Sequence, residues 1–494
     1  MVRSSPRLYG QGSDVCIMCT LIIIMMSGRH EWCLPRHVCG WWAQPTLRLG
    51  VLLKEGQDHS RARPDTVQPP PITSPAHRQF FVVKQPNATP MPPKLSPVVI
   101  TLLTLTATLF LTHILPQLLS PPSASPIIPP QSTPDMSYTN ELRVALHAVQ
   151  RASLLTKSVF HSHSKGTLSK LDASPVTVGD FGAQALIISA LQHAFPHDSI
   201  IAEEEAKDLR ENESTRKLVW DLVQKTKLED KDAEADIGGP VKGVDSMLDL
   251  IDLGAAKGGK EGRVWVIDPI DGTKGFLRGG QYAVCLGLLV AGDVKVGVLG
   301  CPNLPVSDSE PLAENIGADA SDQEGKFGVL FSAVQGAGAE SRPLQRGALA
   351  DGKAIHMAKV DNIADATFCE SVEAGHSSQS DSANIASLLG ITKPSVRMDS
   401  QAKYGSIARG AGDLYLRLPV RADYVEKIWD HAAGDLIVRE AGGEVTDVEG
   451  RRLDFSHGRT LQENKGVVAA PKGVHAQVIK AVQEVLGKKK KGAL

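Results

Sequence analysis

Charge of one sign is what this sequence most lacks. The 494 residues carry 53 Lys and Arg against 55 Asp and Glu, a formal net charge of −2. That balance leaves no basic footprint for nucleic acid and no acidic tail, so no nucleic-acid partner is expected. The 15 histidines are scattered, without a ligand-like cluster. Cysteine is scarce, seven in all, and nothing in the spacing resembles a secreted disulfide framework. A reducing compartment, the cytoplasm, is therefore the expected setting of the working part. Cys285, Cys301 and Cys369 stand alone and read as small buried apolar residues. Cys16-x-x-Cys19 has zinc-like spacing, but it sits inside the apolar run "CIMCTLIIIMM", a poor setting for a metal. There are no internal repeats.

What is present divides near Met136. Before it come "QPPPITSPAH", "PNATPMPPKLSP" and "SPPSASPIIPPQSTP", proline-rich stretches that favour extended, solvated backbone. Among them lies "VVITLLTLTATLFLTHILPQLL", residues 98–119, with no charged residue except His113 and long enough to cross a bilayer. Two readings stand side by side: a single-pass membrane anchor, or an extension, residues 1–135, that is not part of the working protein, whose natural start would be Met136. The run lies too far from the N-terminus for a signal peptide. Few acidic residues occur early, as in a mitochondrial presequence, but nothing singles that out.

The whole chain is 42% hydrophobic, and after Met136 it reads as alternating helices and strands. Leu142, Leu146, Val149 and Leu155 predict a helix over 140–163. A second helix is expected from Phe181 to Phe195. "SIIAEEE" reads as a short strand ending in carboxylates, and "RVWVIDP" as a buried strand that Pro269 should stop, since proline cannot donate a ladder hydrogen bond. "YAVCLGLLVAGDVKVGVLG" reads as a hairpin turning at Gly292-Asp293. Residues 429–440 suit a helix packed through Ala432, Ala433 and Gly434, and "GKKKKG" a solvated tail.

The chemistry concentrates in "WVIDPIDGTKGFLRG", where Asp268 and Asp271 follow the buried strand. If a helix begins near Thr273, its free N–H groups face the space beside both carboxylates. Bare carboxylates this close repel and raise one another's pKa, whereas hard divalent cations keep them ionised. Oxygen ligands alone favour magnesium, then manganese. Asp180, Glu203 with Glu204, and Asp430 just inside the 429–440 helix are further acidic elements. Taken singly, each reads as well as a helix cap or a solvated acidic run.

Taken in order, they resemble the lithium-sensitive, magnesium-dependent phosphomonoesterase superfamily that includes inositol monophosphatase: an aspartate, an acidic pair, D-P-I-D-G-T, then W-D-x-A-A. The segments "SPVTVGDFGAQ", "GCPNL", "VEAGHSS", "DSQAKYG", "DLYLRLP" and "EKIWDHAAGDLIVREAGG" are closer still to its 3′(2′),5′-bisphosphate nucleotidases. The resemblance runs from Met136 almost to the end. It implies metal ligation by Glu203, Asp268, Asp271, Asp430 and the Ile270 carbonyl, holding two or three Mg2+ ions. Asp180 and Thr273 would activate the attacking water, Thr273 relaying or orienting a proton toward Asp180. Attack would be in line, and no Cys-Arg phosphatase loop suggests a phosphoenzyme. The acidic motif departs from the usual G-E-E-S, reading Ala202-Glu203-Glu204-Glu205, and Glu203 is chosen by register.

The same resemblance makes Thr273, His376, Ser400, Lys403, Arg417 and Asp430 the substrate-binding set, with Lys403 and Arg417 near a 5′-phosphate. Alone, Arg417 reads as a strand residue turned outward and Lys403 as a solvated helix residue. The implied substrate is adenosine 3′,5′-bisphosphate, cleaved to AMP, with 3′-phosphoadenosine 5′-phosphosulfate also accepted. The alternatives are an inositol phosphate substrate or a membrane-tethered nucleotide sensor. The expected fold is α/β, a layered αβαβα sandwich acting as a monomer. An N-terminal α+β part would span 136–362, and a C-terminal α/β part 363–494. Residues 234–262 are expected to form a mobile loop over the cleft.

Overall fold

The apolar spacing after Met136 does make a helix, α1 (Thr139–Ser164), which lies beside α2 (Pro175–Ala194). In the computed structural model, residues 138–164, 174–308, 312, 325–373, 375, 377–421 and 423–492 are described. They belong to a compact unit spanning Leu119–Leu494. The early cysteines, the 98–119 run and His376 lie outside the described residues. Among the described residues no helix is long and apolar enough to cross a membrane.

A seven-stranded sheet runs in sequence order: β1 (Ser199–Ala202), β2 (Arg263–Asp271), β3 (Ala283–Val290), β4 (Asp293–Pro305), β5 (Phe327–Val334), β6 (Gly338–Pro343) and β7 (Lys353–Ile355). Only β1 and β2 pair in parallel; the rest is an antiparallel meander. The hairpin turns at Ala291-Gly292, both with positive φ, and β4 begins at Asp293. The second sheet is ordered β11-β12-β10-β8-β9: β8 (Phe368–Glu370), β9 (Val396–Arg397), β10 (Leu414–Arg417), β11 (Gly443–Thr446) and β12 (Val467–Pro471).

Three apolar clusters stack these parts into five layers. Leu146, Val149, Ile187 and Leu191 of α1 and α2 pack on Trp265, Ile267, Leu286 and Val298 of the first sheet. That sheet's other face meets α9 (Ala402–Ala408) and α10 (Ala432–Glu440), through Tyr404, Ala432, Ala433 and Leu436. Ala432 and Ala433 lie directly against Gly287 and Gly297, so small residues set how closely helix and sheet approach. The second sheet rests on the far side of these helices through Tyr415, Val445 and Ala469. Its outer face is covered by α8 (Gln379–Leu389) and α11 (Lys472–Gly492) through Ile385, Leu389, Val478 and Val482. This is the αβαβα order that the sequence implies.

Several expectations need correcting. Strand β2 does not stop at Pro269; it runs to Asp271 with a slip in register between Asp268 and Asp271. A bulge admits proline because it takes the residue out of the ladder. Helix α2 begins at Pro175, not Phe181, since proline suits a first helical turn, so Asp180 sits a turn inside. The segment expected to be a mobile loop contains α6 (Val244–Asp252), whose Met247, Leu248 and Ile251 are buried. The preceding α5 (Lys231–Asp236) overlaps its start. The lysine-rich tail continues α11 to Gly492. Asp430 closes the 3-10 turn Ile428–Asp430 rather than lying in α10. Cys285, Cys301 and Cys369 are buried free thiols, as expected.

Candidate active site

The slipped register in β2 leaves Pro269 and Ile270 without ladder partners on β3, between the paired residues Asp268 and Asp271. Gly272 then takes φ +89 and hands the chain to α7 (Thr273–Arg278), whose first residue, Thr273, is exposed. The left-handed backbone calls for glycine, and a Cβ there would stand 2.8 Å from the Cβ of Ser400. Ser400 is itself at φ +69, an unusual conformation for a non-glycine residue.

The implied ligands and general base act on one another. Asp268 is almost wholly buried, and its carboxyl is pushed well up, first by loss of solvent and then by Glu203, Asp271, Asp430 and Asp180. Asp271 is pushed up to about 7 by desolvation and Asp430, while Lys403, the Gln401 amide and Arg417 pull the other way. Glu203 is raised to about 8 by desolvation, then Asp430, Glu204 and Asp271, and it shares a hydrogen bond with Asp268. Glu203 is nonetheless exposed to solvent, which weakens that effect. Asp180 is buried and raised by desolvation, Glu204 and Glu203, with the Ile270 amide acting in the opposite sense. Asp430 is raised by burial and pulled down by Arg417 and His431. These acids come from α2, the end of β1, the β2 bulge and the 3-10 turn.

The donor set fits a hard divalent cation. All the side-chain donors are carboxylate oxygens, and Oδ1 of Asp268 is buried without a hydrogen-bond partner. A buried oxygen of this kind calls for a partner that the protein itself does not supply. The tightest metal-like group among the described residues is a different one: donor atoms of Glu426, Asp430 and His431 lie within 4.8 Å of one another. It does not read as a metal site. His431 meets Glu426 through Nε2 at 3.3 Å and the Tyr404 hydroxyl through Nδ1 at 2.9 Å, so both ring nitrogens are engaged.

Glu426 was not legible in the sequence as a site residue, yet it organises the cationic side. Its carboxylate pairs with Arg417 Nε at 2.8 Å and is held down to about 2, burial being outweighed by Arg417 and His431. Arg417 reaches Asp430 with Nη2 at 3.3 Å. Neither simple alternative for the two cations holds. Arg417 is mostly buried and paired rather than turned outward. Lys403 is buried, donates to the Met398 carbonyl at 3.2 Å and lies 5.2 Å from the centre of the Tyr415 ring. Burial brings the Lys403 ammonium down to about 8, against the pull of Asp271 and Asp399.

Gln401 was also missed. Its amide donates to Asp271 Oδ2 at 2.6 Å, its Nε2 to the Trp429 carbonyl at 2.7 Å, and its Oε1 accepts from Gly434 at 3.0 Å. It thus ties the two aspartates' segments together. Arg278 pairs with Asp399 and Glu373, and Lys274 reaches Glu373 at 3.1 Å, linking α7 to the "VEAGHSS" loop. The spacing Glu426-x-x-x-Asp430-His431 was the available sequence signal for the first of these networks.

The family model for the inositol monophosphatase family matches residues 138–486. The chain belongs to that family. Within it, a protein of Emericella nidulans named 3′(2′),5′-bisphosphate nucleotidase is 62% identical over 351 residues, covering 71% of this chain and 99% of its own. One of the same name from Schizosaccharomyces pombe is 48% identical over 358 residues, covering 72% of this chain and 98% of its own. A third, from Oryza sativa, is 43% identical over 362 residues, covering 72% and 97%.

Proposed function

We propose that this inositol monophosphatase family member is a magnesium-dependent phosphatase that hydrolyses the 3′-phosphate of adenosine 3′,5′-bisphosphate to AMP and phosphate. We extend this to 3′-phosphoadenosine 5′-phosphosulfate, and to a monomeric enzyme. The observation that carries the reading is the meeting of Asp180, Glu203, Asp268, Asp271 and Asp430 at one strand end, beside the buried cations Lys403 and Arg417. The names of the similar proteins support the choice of a bisphosphorylated nucleotide.

Glu203, Asp268, Asp271, Asp430 and the Ile270 carbonyl would hold two or three magnesium ions. Those ions, when bound, supply Lewis-acid stabilisation of charge on the transferring phosphoryl group. The chain's own residues do the rest. Asp180, its carboxyl raised by burial and by its acidic neighbours, would be the acceptor of the proton from the attacking water. Thr273, exposed at the start of α7, would orient a water and pass its proton toward Asp180. The N–H groups of α7 would face the phosphoryl oxygens. Lys403 and Arg417 would favour a substrate carrying a second phosphate through their positive charge. Ser400 and His376 complete the proposed binding set.

A paired assay tests the reading. Equal amounts of the purified full chain are given adenosine 3′,5′-bisphosphate or inositol phosphates, with magnesium or with EDTA. Magnesium-dependent release of phosphate is expected chiefly from the nucleotide. Preference for the inositol ester would replace the substrate, and turnover unaffected by EDTA would remove the metal.

A further inference from the structure

Arg459 lies between β11 and β12, far in sequence from every acid of the site, yet it touches the approaches to two of them. Its Nη2 donates to the Ala202 carbonyl at 2.6 Å, and its Nη1 to the carbonyls of Gly254 at 3.0 Å and Ala256 at 3.2 Å. Ala202 ends β1, and Glu203 is the next residue. The 254–256 segment pairs with β1 in turn, Gly254 accepting from Ala202 at 2.9 Å and Ala256 donating to Ile200 at 3.1 Å. The same guanidinium lies over the Trp429 ring, 4.8 Å from its centroid, and Asp430 follows Trp429.

The backbone repeats the connection. The Ile428 amide donates to the Arg459 carbonyl at 3.2 Å, and the Leu461 amide to the Glu426 carbonyl at 2.9 Å. Gly458, at φ +92, brings this segment so close to the 257–258 turn that a Cβ would lie 3.0 Å from the Lys257 carbonyl. One planar group therefore caps the carbonyls that lead to Glu203 and packs the ring that leads to Asp430. A guanidinium can do both, because its fork serves several carbonyls while its face stacks on an aromatic ring. Its charge also faces Glu203 and Glu205. An acidic residue at 205 is thereby accommodated beside an already acidic site.

We propose that Arg459 is a positioning residue that fixes the spacing between Glu203 and Asp430 and so sets the affinity of the site for its divalent cation. This rests on the metal-dependent reading above. Arg459 does not touch the reacting atoms; it acts through the two ligands whose main chain it holds. Glutamine at this position keeps one donor group but loses the fork and the stacking cation. Lysine keeps the charge but lacks the rigid planar fork that spans the two segments and lies flat on the ring.

The test is direct Mn2+ binding to the purified full chain without substrate, followed by the free-Mn2+ electron paramagnetic resonance signal, for wild type, Arg459→Gln, Arg459→Lys and Asp271→Asn. Thermal unfolding in EDTA and kcat at saturating metal are measured alongside. Arg459→Gln is expected to weaken Mn2+ binding about tenfold while kcat at saturating metal stays within about threefold. Arg459→Lys is expected to recover only part of that loss. Unchanged Mn2+ affinity in folded Arg459→Gln overturns the proposal, as does full recovery by lysine, which would show that charge alone matters. A wild-type chain that binds Mn2+ no better than Asp271→Asn overturns the metal reading itself, and is recognised by that coincidence.

Discussion

Asp271→Asn should stabilise the metal-free protein while destroying its activity, and the size of the gain follows from the site. The carboxyl of Asp271 moves from an ordinary 3.8 to about 7 in the folded chain. A raised carboxyl binds its proton more tightly folded than unfolded, so it costs stability wherever the pH exceeds its ordinary value, and the cost stops growing above about 7. At pH 8 the gap is roughly three pH units, or about 4 kcal/mol at about 1.4 kcal/mol each. Asparagine removes that cost and can still accept the Gln401 amide. Part of the gain is returned, because Lys403 loses an attraction and solvent screens the partly buried group. A net gain of about 2–3 kcal/mol is expected at pH 8, and under about 1.5 kcal/mol at pH 5, where most of the cost is absent. Urea unfolding in EDTA at both pH values measures it, as a midpoint shift on the order of 1 M at pH 8. Added magnesium should stabilise wild type by mass action and the variant far less. Turnover should fall at least about a hundredfold, more than loss of an outer-shell partner causes. A variant no more stable than wild type at pH 8 in EDTA, or equally stabilised at pH 5, would refute the reasoning.

In EDTA the wild-type melting temperature should fall as pH rises from about 5 to 8, because Asp271, at about 7, and Glu203, at about 8, keep protons in the folded state that the unfolded chain has already lost. Saturating magnesium should flatten that slope, and differential scanning fluorimetry with and without it decides; a flat or rising profile in EDTA would count against the cluster. Arg417→Lys keeps the charge but gives up the separate contacts to Glu426 and Asp430, so KM for adenosine 3′,5′-bisphosphate should rise about 10- to 100-fold, read by initial rates. Gly272→Ala places a Cβ 2.8 Å from Ser400 at a left-handed position, and should cost about 1–3 kcal/mol in a urea titration, with a matching loss of kcat.

Legibility in the sequence followed locality. Alternation and helical spacing were enough for α1, β1, β2 and the β3–β4 hairpin, because each is decided by residues within a few positions. The candidate acids were legible as motifs, chiefly through D-P-I-D-G-T and W-D-x-A-A. Pro269 misled because a bulge, set by what the strand end must present, overrode the rule for regular ladders. The helix at Val244–Asp252 was missed because glycines flank a short amphipathic stretch whose burial depends on distant partners. Gln401 and Arg459 carried no readable signal for the same reason, and Glu426 offered only its spacing to Asp430 and His431. Each acts across a long sequence separation, through a contact that only the packed layers create.

The charges explain why so many acids can be held together before any cation arrives. Protons do part of the work: Glu203 and Asp268 share a hydrogen bond, Glu203 and Asp271 are raised to about 8 and about 7, and burial pushes Asp268 up as well. The remainder falls to cations that are not spare. Arg417 is committed to Glu426 as well as Asp430, and Glu426 is bound in turn by His431. Glu426 is a carboxylate held down to about 2, ionised throughout the range in which its neighbours titrate. It keeps Arg417 in place whether Asp430 is protonated or not. Without it, Arg417 would be free to settle on Asp430, one of the proposed metal ligands. The anchoring of a cation by an acid outside the ligand set is thus what leaves Asp430 able to exchange partners. A ligand set built only of acids and their nearest cation would neutralise itself.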